Sequence, residues 1–226
     1  GGYPKLELTF DWSSNDKMAT VGIKQTQKSD KKNEELLFKI PFFLEFYYKN
    51  SKEKFSIEIK SDKEKFCFHL KNKPLFFRID PDYECPCKVI VSDVPRHMFY
   101  EQLKRDLDPI GRIEAALALT KNSSTEDVNI LGERLKKEKE WGVAVRIAKA
   151  LGKIGGNHAR DYLIKGLKNS DHKIRKGIIS ALGNFCHDEK AILSIRQCAK
   201  NDPSYRVEAI ALQMLGKIKD KDSFVF

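Results

Sequence analysis

Nothing in these 226 residues stays apolar for long. No stretch approaches the roughly 18 uncharged apolar residues of a membrane helix, and the N-terminus lacks the charged-then-apolar layout of a secretion signal. The most apolar run, Phe38 to Tyr48, is interrupted by Lys39, Pro41 and Glu45, so it predicts a buried strand and no membrane association. Cysteine is sparse and odd in number. Cys67, Cys85, Cys87, Cys186 and Cys198 are scattered, which argues against a disulfide framework and for a reducing, cytoplasmic setting. Cys85-Pro86-Cys87 is closer spaced than a zinc knuckle, and no second pair completes it. Gly152-x-x-Gly155-Gly156 follows a helical pattern rather than a strand and lacks Gly-Lys-Ser, so it is a helix-ending turn rather than a phosphate loop. Ser123 and Ser124 have no histidine near in sequence to act as base. Ser124 reads instead as a helix cap, with Asp127 three residues on. His69, between Phe68 and Leu70, faces away from the buried side of its strand.

What is present is a repeat. Ala118-Leu119, Ala150-Leu151-Gly152, Ala181-Leu182-Gly183 and Met214-Leu215-Gly216 place their leucines 32, 31 and 33 residues apart. A period near 32 means stacked two-helix units, because one such unit cannot bury its apolar face alone. Ile174, Gly177, Ile178, Ala181, Leu182 and Phe185 recur at helical spacing, and Val207, Ile210, Ala211, Met214, Leu215 and Ile218 repeat that spacing. Small residues in these stripes (Gly177, Ala181, Ala211) let neighbouring helices approach. Asp108-Pro109 and Asp171 open two repeat helices, and partner helices are predicted over about 125–139, 157–167 and 189–199.

The first half has a different period. Leu6, Leu8, Phe10 and Trp12 alternate with polar residues, as do Phe55, Ile57 and Ile59, and then Phe66, Phe68 and Leu70. Further strands are predicted over 18–27, 36–48, 75–79 and 88–91, with 28–35 a charged loop. Ten of the 14 phenylalanines precede residue 80, which places them in a packed core. The fold expected is multidomain β plus α: a small antiparallel β-sandwich over 1–93, then an α-α superhelix of HEAT or armadillo type over 94–226. Pro95 fits a helix start there, with Asp93 as its cap.

The net charge of +10 is uneven. Residues 1–100 carry 18 basic and 15 acidic side chains, and residues 101–226 carry 24 and 17. Interspersed acids, as in Glu133 to Glu140, make most of this a solvated helical surface. Arg112, Arg146, Arg175 and Arg206 recur once per repeat at slightly different offsets from the key leucine. They either bond to a neighbouring repeat's helix end or form a row of cations holding a peptide carboxylate or an acidic partner. Trp141 reads as a packing residue.

The run Gly2-Tyr3-Pro4-Lys5-Leu6-Glu7-Leu8, followed by Val21-Gly22-Ile23-Lys24-Gln25-Thr26-Gln27, resembles the segment after the catalytic domain in the puromycin-sensitive-type zinc aminopeptidases, a gluzincin family. Phe77-Arg78-Ile79-Asp80-Pro81 is similar to the close of that family's small β-sandwich. Gln102-Leu103, Arg112 and Ala115-Ala116 resemble the opening of its HEAT-like helical domain. The resemblance implies a parent that removes N-terminal residues from peptides, using zinc held by H-E-x-x-H and a glutamate on the next helix. None of that motif is here. His69, His97, His158, His172 and His187 are not followed by Glu, and none has a histidine four residues away. The family's Gly-x-Met-Glu-Asn motif is absent as well.

No catalytic residue, metal ligand or cofactor is therefore assigned to this chain. Zinc belongs to a catalytic domain of the parent, and Gly1-Gly2 without a starting methionine reads as a truncation boundary. The expected role is a spacer and chamber wall in a zinc aminopeptidase. Peptide substrate would be met through the parent's catalytic domain, and the chain alone would be inactive. The alternative is a HEAT scaffold binding protein or nucleic acid, as in an aminopeptidase-like transcription factor subunit that lacks working chemistry. A protein partner fits the mixed-charge surface better than nucleic acid does.

Overall fold

The computed structural model describes residues 3–27 and 37–219. The loop expected over 28–35, the strand start expected at Leu36, the pair Gly1-Gly2 and residues 220–226 lie outside them. The chain divides into two compact units, Gly1–Gln102 and Leu103–Phe226.

Period-2 alternation becomes seven strands in the first unit: β1 (Lys5–Ser13), β2 (Met18–Gln25), β3 (Ile40–Tyr47), β4 (Lys52–Ile59), β5 (Lys63–His69), β6 (Phe76–Ile79) and β7 (Lys88–Asp93). One sheet has the order β5-β2-β1-β7 and the other β4-β3-β6. Register puts Leu8 opposite Ile23, Val21 opposite Phe66 and Leu44 between Phe55 and Ile79. The inward residues of both sheets form one core. Phe10 stacks on Phe77 at 5.1 Å between ring centroids, and Phe46 meets Phe68 edge-on at 5.2 Å, each pair joining one sheet to the other. Glu45, the acid inside the apolar run, is buried. It accepts hydrogen bonds from the Tyr47 hydroxyl (2.6 Å) and the Lys52 ammonium (2.9 Å).

Two expectations change here. β7 pairs with β1 in parallel, whereas the other strand pairs are antiparallel. Alternation fixes which face is buried but carries no strand direction, and β7 reaches β1 after the chain leaves β6 in the other sheet. Asp93 is the last residue of β7, pairing with Thr9, rather than a helix cap. Pro95 directly precedes the helix.

Eight helices follow: α1 (Arg96–Arg105), α2 (Pro109–Ala118), α3 (Thr125–Lys137), α4 (Trp141–Ile154), α5 (Gly156–Gly166), α6 (His172–Leu182), α7 (Glu189–Asn201) and α8 (Tyr205–Lys217). Asp108 caps α2 by accepting from the Ile110 N–H, with Pro109 at the first helical position. Ser124 and Asp127 form the expected capping box at α3. Gly155, at φ 75°, ends α4 in a backbone conformation that a side chain would strain.

In the second unit α2, α4, α6 and α8 pack in series as one layer, and α3, α5 and α7 form the other. Leu119, Leu151, Leu182 and Leu215 are all buried. Gly177 allows α6 to lie close on α4, since a Cβ there would come 2.6 Å from a Val145 methyl. Leu151 is fully enclosed at 0% exposure. Leu151→Ala should therefore cost about 3 kcal/mol of unfolding free energy in urea. A loss under about 1 kcal/mol would mean the stack does not pack as described.

Candidate functional site

The four repeat arginines fall into two classes, and helix geometry decides which. Arg112 and Arg175 each lie seven residues before the key leucine, which is almost two full turns, so they share its buried face. Arg146 lies five residues before and Arg206 nine, which turns both toward solvent.

The buried pair makes the same clamp twice. Arg112 donates from Nε to Glu138 Oε2 at 3.1 Å and from Nη2 to Glu138 Oε1 at 3.2 Å. Its Nη1 reaches the carbonyls of Asp106 and Leu107 at 3.0 and 3.1 Å. Arg175 donates from Nε and Nη2 to Asp202 at 2.8 Å each, and from Nη1 to the carbonyls of Asn169 and Ser170 at 2.9 Å each. Each acceptor caps the C-terminus of a partner helix, Glu138 for α3 and Asp202 for α7. One guanidinium thus joins the end of a partner helix to the turn that opens its own helix, in bidentate geometry. Arg160 of α5 ties to Asp188, the cap of α7, in a related contact between partner helices.

The carboxylates respond to these cations. Burial pushes the Asp202 carboxyl up, but hydrogen bonds from Arg175 and the Ser204 N–H outweigh it, holding it below the usual aspartate range. Glu138 follows the same balance: burial raises it, and the Glu140 N–H, Arg134 and Arg112 together bring it down.

Of the outward pair, Arg206 faces a groove of about 600 Å³ formed by α4, α6 and the start of α8. Lys149, Lys173, Lys176, Arg206 and His172 line it, with Trp141 and Val145, and among the described residues no carboxylate does. Trp141 is half exposed here, with the Lys173 ammonium 5.0 Å from its ring centroid, rather than a packing residue. Arg146 is exposed on α4 but is not a lining residue. The structure therefore brings Arg206 into the groove and gives Arg112 and Arg175 to the internal clamps. Sequence reasoning missed Glu138, Asp202, Lys173 and Lys176. The signal for the clamps was the seven-residue offset combined with an acid just beyond the partner helix.

Ser180 in the groove donates to the Lys176 carbonyl at 3.1 Å. Among the described residues no three His, Cys, Asp or Glu side chains converge as metal ligands must. Cys85 and Cys87 are half-buried beside the sandwich core, and burial pushes the Cys87 thiol up to about 12. His69 is exposed. Of Gly152-x-x-Gly155-Gly156, Gly152 lies in the last turn of α4, Gly155 ends that helix and Gly156 begins α5.

Comparison with known proteins places this geometry. Residues 98–183 and 161–225 match the family model of HEAT repeats. No curated protein matches the chain in sequence. The solved structure of Legionella pneumophila aminopeptidase A in complex with aspartic acid is similar in fold, with TM-score 0.62 and 14% identity. The match covers 100% of this chain and 33% of that one, so the chain spans about a third of that protein's length.

Arg175→Ala leaves Asp202, 4% exposed, buried without its cation. It should cost about 3–5 kcal/mol in urea unfolding, whereas Arg146→Ala should change stability by no more than about 0.5 kcal/mol. Acid should act through the same carboxylates. Glu138 and Asp202 have folded values below the unfolded ones, so their contribution is fully present above the ordinary carboxylate range near pH 4. It is lost as pH falls through the folded values. The urea midpoint of Asp202→Asn should lie below that of the parent chain at pH 7, and the gap should narrow as pH drops to about 3. A gap of constant width would exclude the clamp as the cause.

Proposed function

We propose, for a chain that belongs to the HEAT-repeat family, that it is the non-catalytic C-terminal portion of a zinc-dependent aminopeptidase. The sandwich is a spacer, and the solenoid is a wall of the chamber in which the parent trims N-terminal residues from peptides. One observation carries this reading: a seven-strand sandwich followed by an eight-helix solenoid is similar, over its full length, to part of a bacterial aminopeptidase. The Gly-Tyr-Pro junction and the Phe-Arg-Ile-Asp-Pro phrase of the sequence support the same family. Both fall in the sandwich, where HEAT repeats alone give no information.

The chain's own residues hold and position but do not react. The clamps at Arg112 and Arg175 fix the spacing of the helices, which suits a wall that must keep its shape while substrates pass. Zinc and peptide substrate belong, in this reading, to a catalytic domain outside the chain. No helix among the described residues is long and apolar enough to cross a membrane. The described cysteines are free, in keeping with a reducing, cytoplasmic setting.

The purified chain, supplied with zinc and a fluorogenic aminoacyl-amide, should give no turnover above a buffer blank. Turnover above the blank would contradict the non-catalytic role. The gene region preceding Gly1 should encode an H-E-x-x-H helix, and an unrelated domain there would overturn the aminopeptidase reading.

A further inference from the structure

The basic groove on α4, α6 and α8 has a property that the wall role does not require. Elsewhere in the second unit, buried cations are matched by the chain itself: Arg112 to Glu138, Arg160 to Asp188 and Arg175 to Asp202. In the groove, Lys149, Lys173, Lys176 and Arg206 form no ion pair with a described carboxylate. Four like charges on neighbouring helix faces repel one another. His172, also lining the groove, lies 3.9 Å from Asp171, whose carboxylate is already engaged in accepting from the Lys173 N–H to cap α6. The first turns of α4, α6 and α8 contribute Trp141, His172, Lys173 and Arg206 to the lining. A ligand rich in carboxylates would relieve this repulsion without displacing an internal acid.

The groove also limits what that ligand can be. Trp141, held face-on to Lys173, and Val145 give it an apolar strip beside the cations. A volume near 600 Å³ holds a few residues of extended chain rather than a folded surface. Nucleic acid fits less well. Single strands are held by successive stacking aromatics along a long cationic track, and here one aromatic ring lines a short groove. Three of the four cations are lysines, point charges that suit separate carboxylates along a peptide.

We propose that this groove docks an extended acidic peptide segment of a partner protein. The aspartates or glutamates meet Lys149, Lys173, Lys176 and Arg206, and an apolar side chain packs on Trp141. The proposal stands on the groove alone and holds whether or not the chain derives from a peptidase.

The test uses the full chain and a fluorescein-labelled peptide of mixed glutamate and phenylalanine, followed by anisotropy and by tryptophan fluorescence. Saturable binding that weakens with added salt is expected. Lys173→Gln with Lys176→Gln should weaken it about tenfold or more, and Trp141→Ala should weaken it and remove the fluorescence change. Lys165→Gln with Lys190→Gln alters charge equally on the odd-helix layer and should change affinity by about twofold at most. All five positions are exposed, so the variants should retain the parent's circular dichroism and urea midpoint, which are checked first. No binding at low salt would overturn the proposal, as would equal losses in the two double variants. Tighter binding of a charge-matched single-stranded oligonucleotide, lost in Lys173→Gln with Lys176→Gln, would also overturn it in favour of a nucleic-acid groove.

Discussion

A two-helix repeat leaves much of its apolar surface bare until the next repeat covers it, and that dependence governs the second unit. Leu119, Leu151, Leu182 and Leu215 are each buried within the stack. Hydrophobic contact of this kind has no direction, so it does not by itself set the angle between a helix and its partner. The bidentate clamps supply that angle. Each guanidinium holds two carbonyls at the entry to its own helix and a carboxylate at the exit of the partner helix. The same device occurs at α2–α3 and at α6–α7, and Arg160 reaches from α5 to the cap of α7 between them.

The amount of this legible in the sequence depended on the physical signal. The leucine period defined the solenoid because stacking forces one buried position per repeat. Ser124 with Asp127 marked a helix start because the capping box is local chemistry, complete within four residues. Alternation found the strands but not the parallel pairing of β1 with β7, which is a matter of topology. Asp93 failed as a cap because β7 continues through it to pair with Thr9, a contact 84 residues away in sequence. Glu45 looked like an interruption of an apolar run, yet it is buried because Lys52, across a tight turn, returns to meet it.

The arginines show the limit most clearly. Four residues of one type, once per repeat, read as one row, but a two-residue difference in offset turns a side chain by about half a circle on a helix. Arg112 and Arg175 therefore point inward and serve the fold. Arg206 points outward, joining lysines that no periodicity had singled out. Trp141 was similarly misplaced, since an aromatic at the first position of a helix carries no periodic signature of its own. Its exposure and the lysine over its ring appear only once α4 and α6 are side by side.

If the clamps set helix spacing, Arg175 and Asp202 must act as one unit. A double-mutant cycle on Arg175→Ala and Asp202→Ala measures that directly by urea unfolding. The expected result is strong coupling, with the loss in the double variant falling short of the sum of the two single losses by roughly 2–3 kcal/mol. Losses that add to within about 0.5 kcal/mol would show that the two side chains stabilise the solenoid independently, contrary to the clamp.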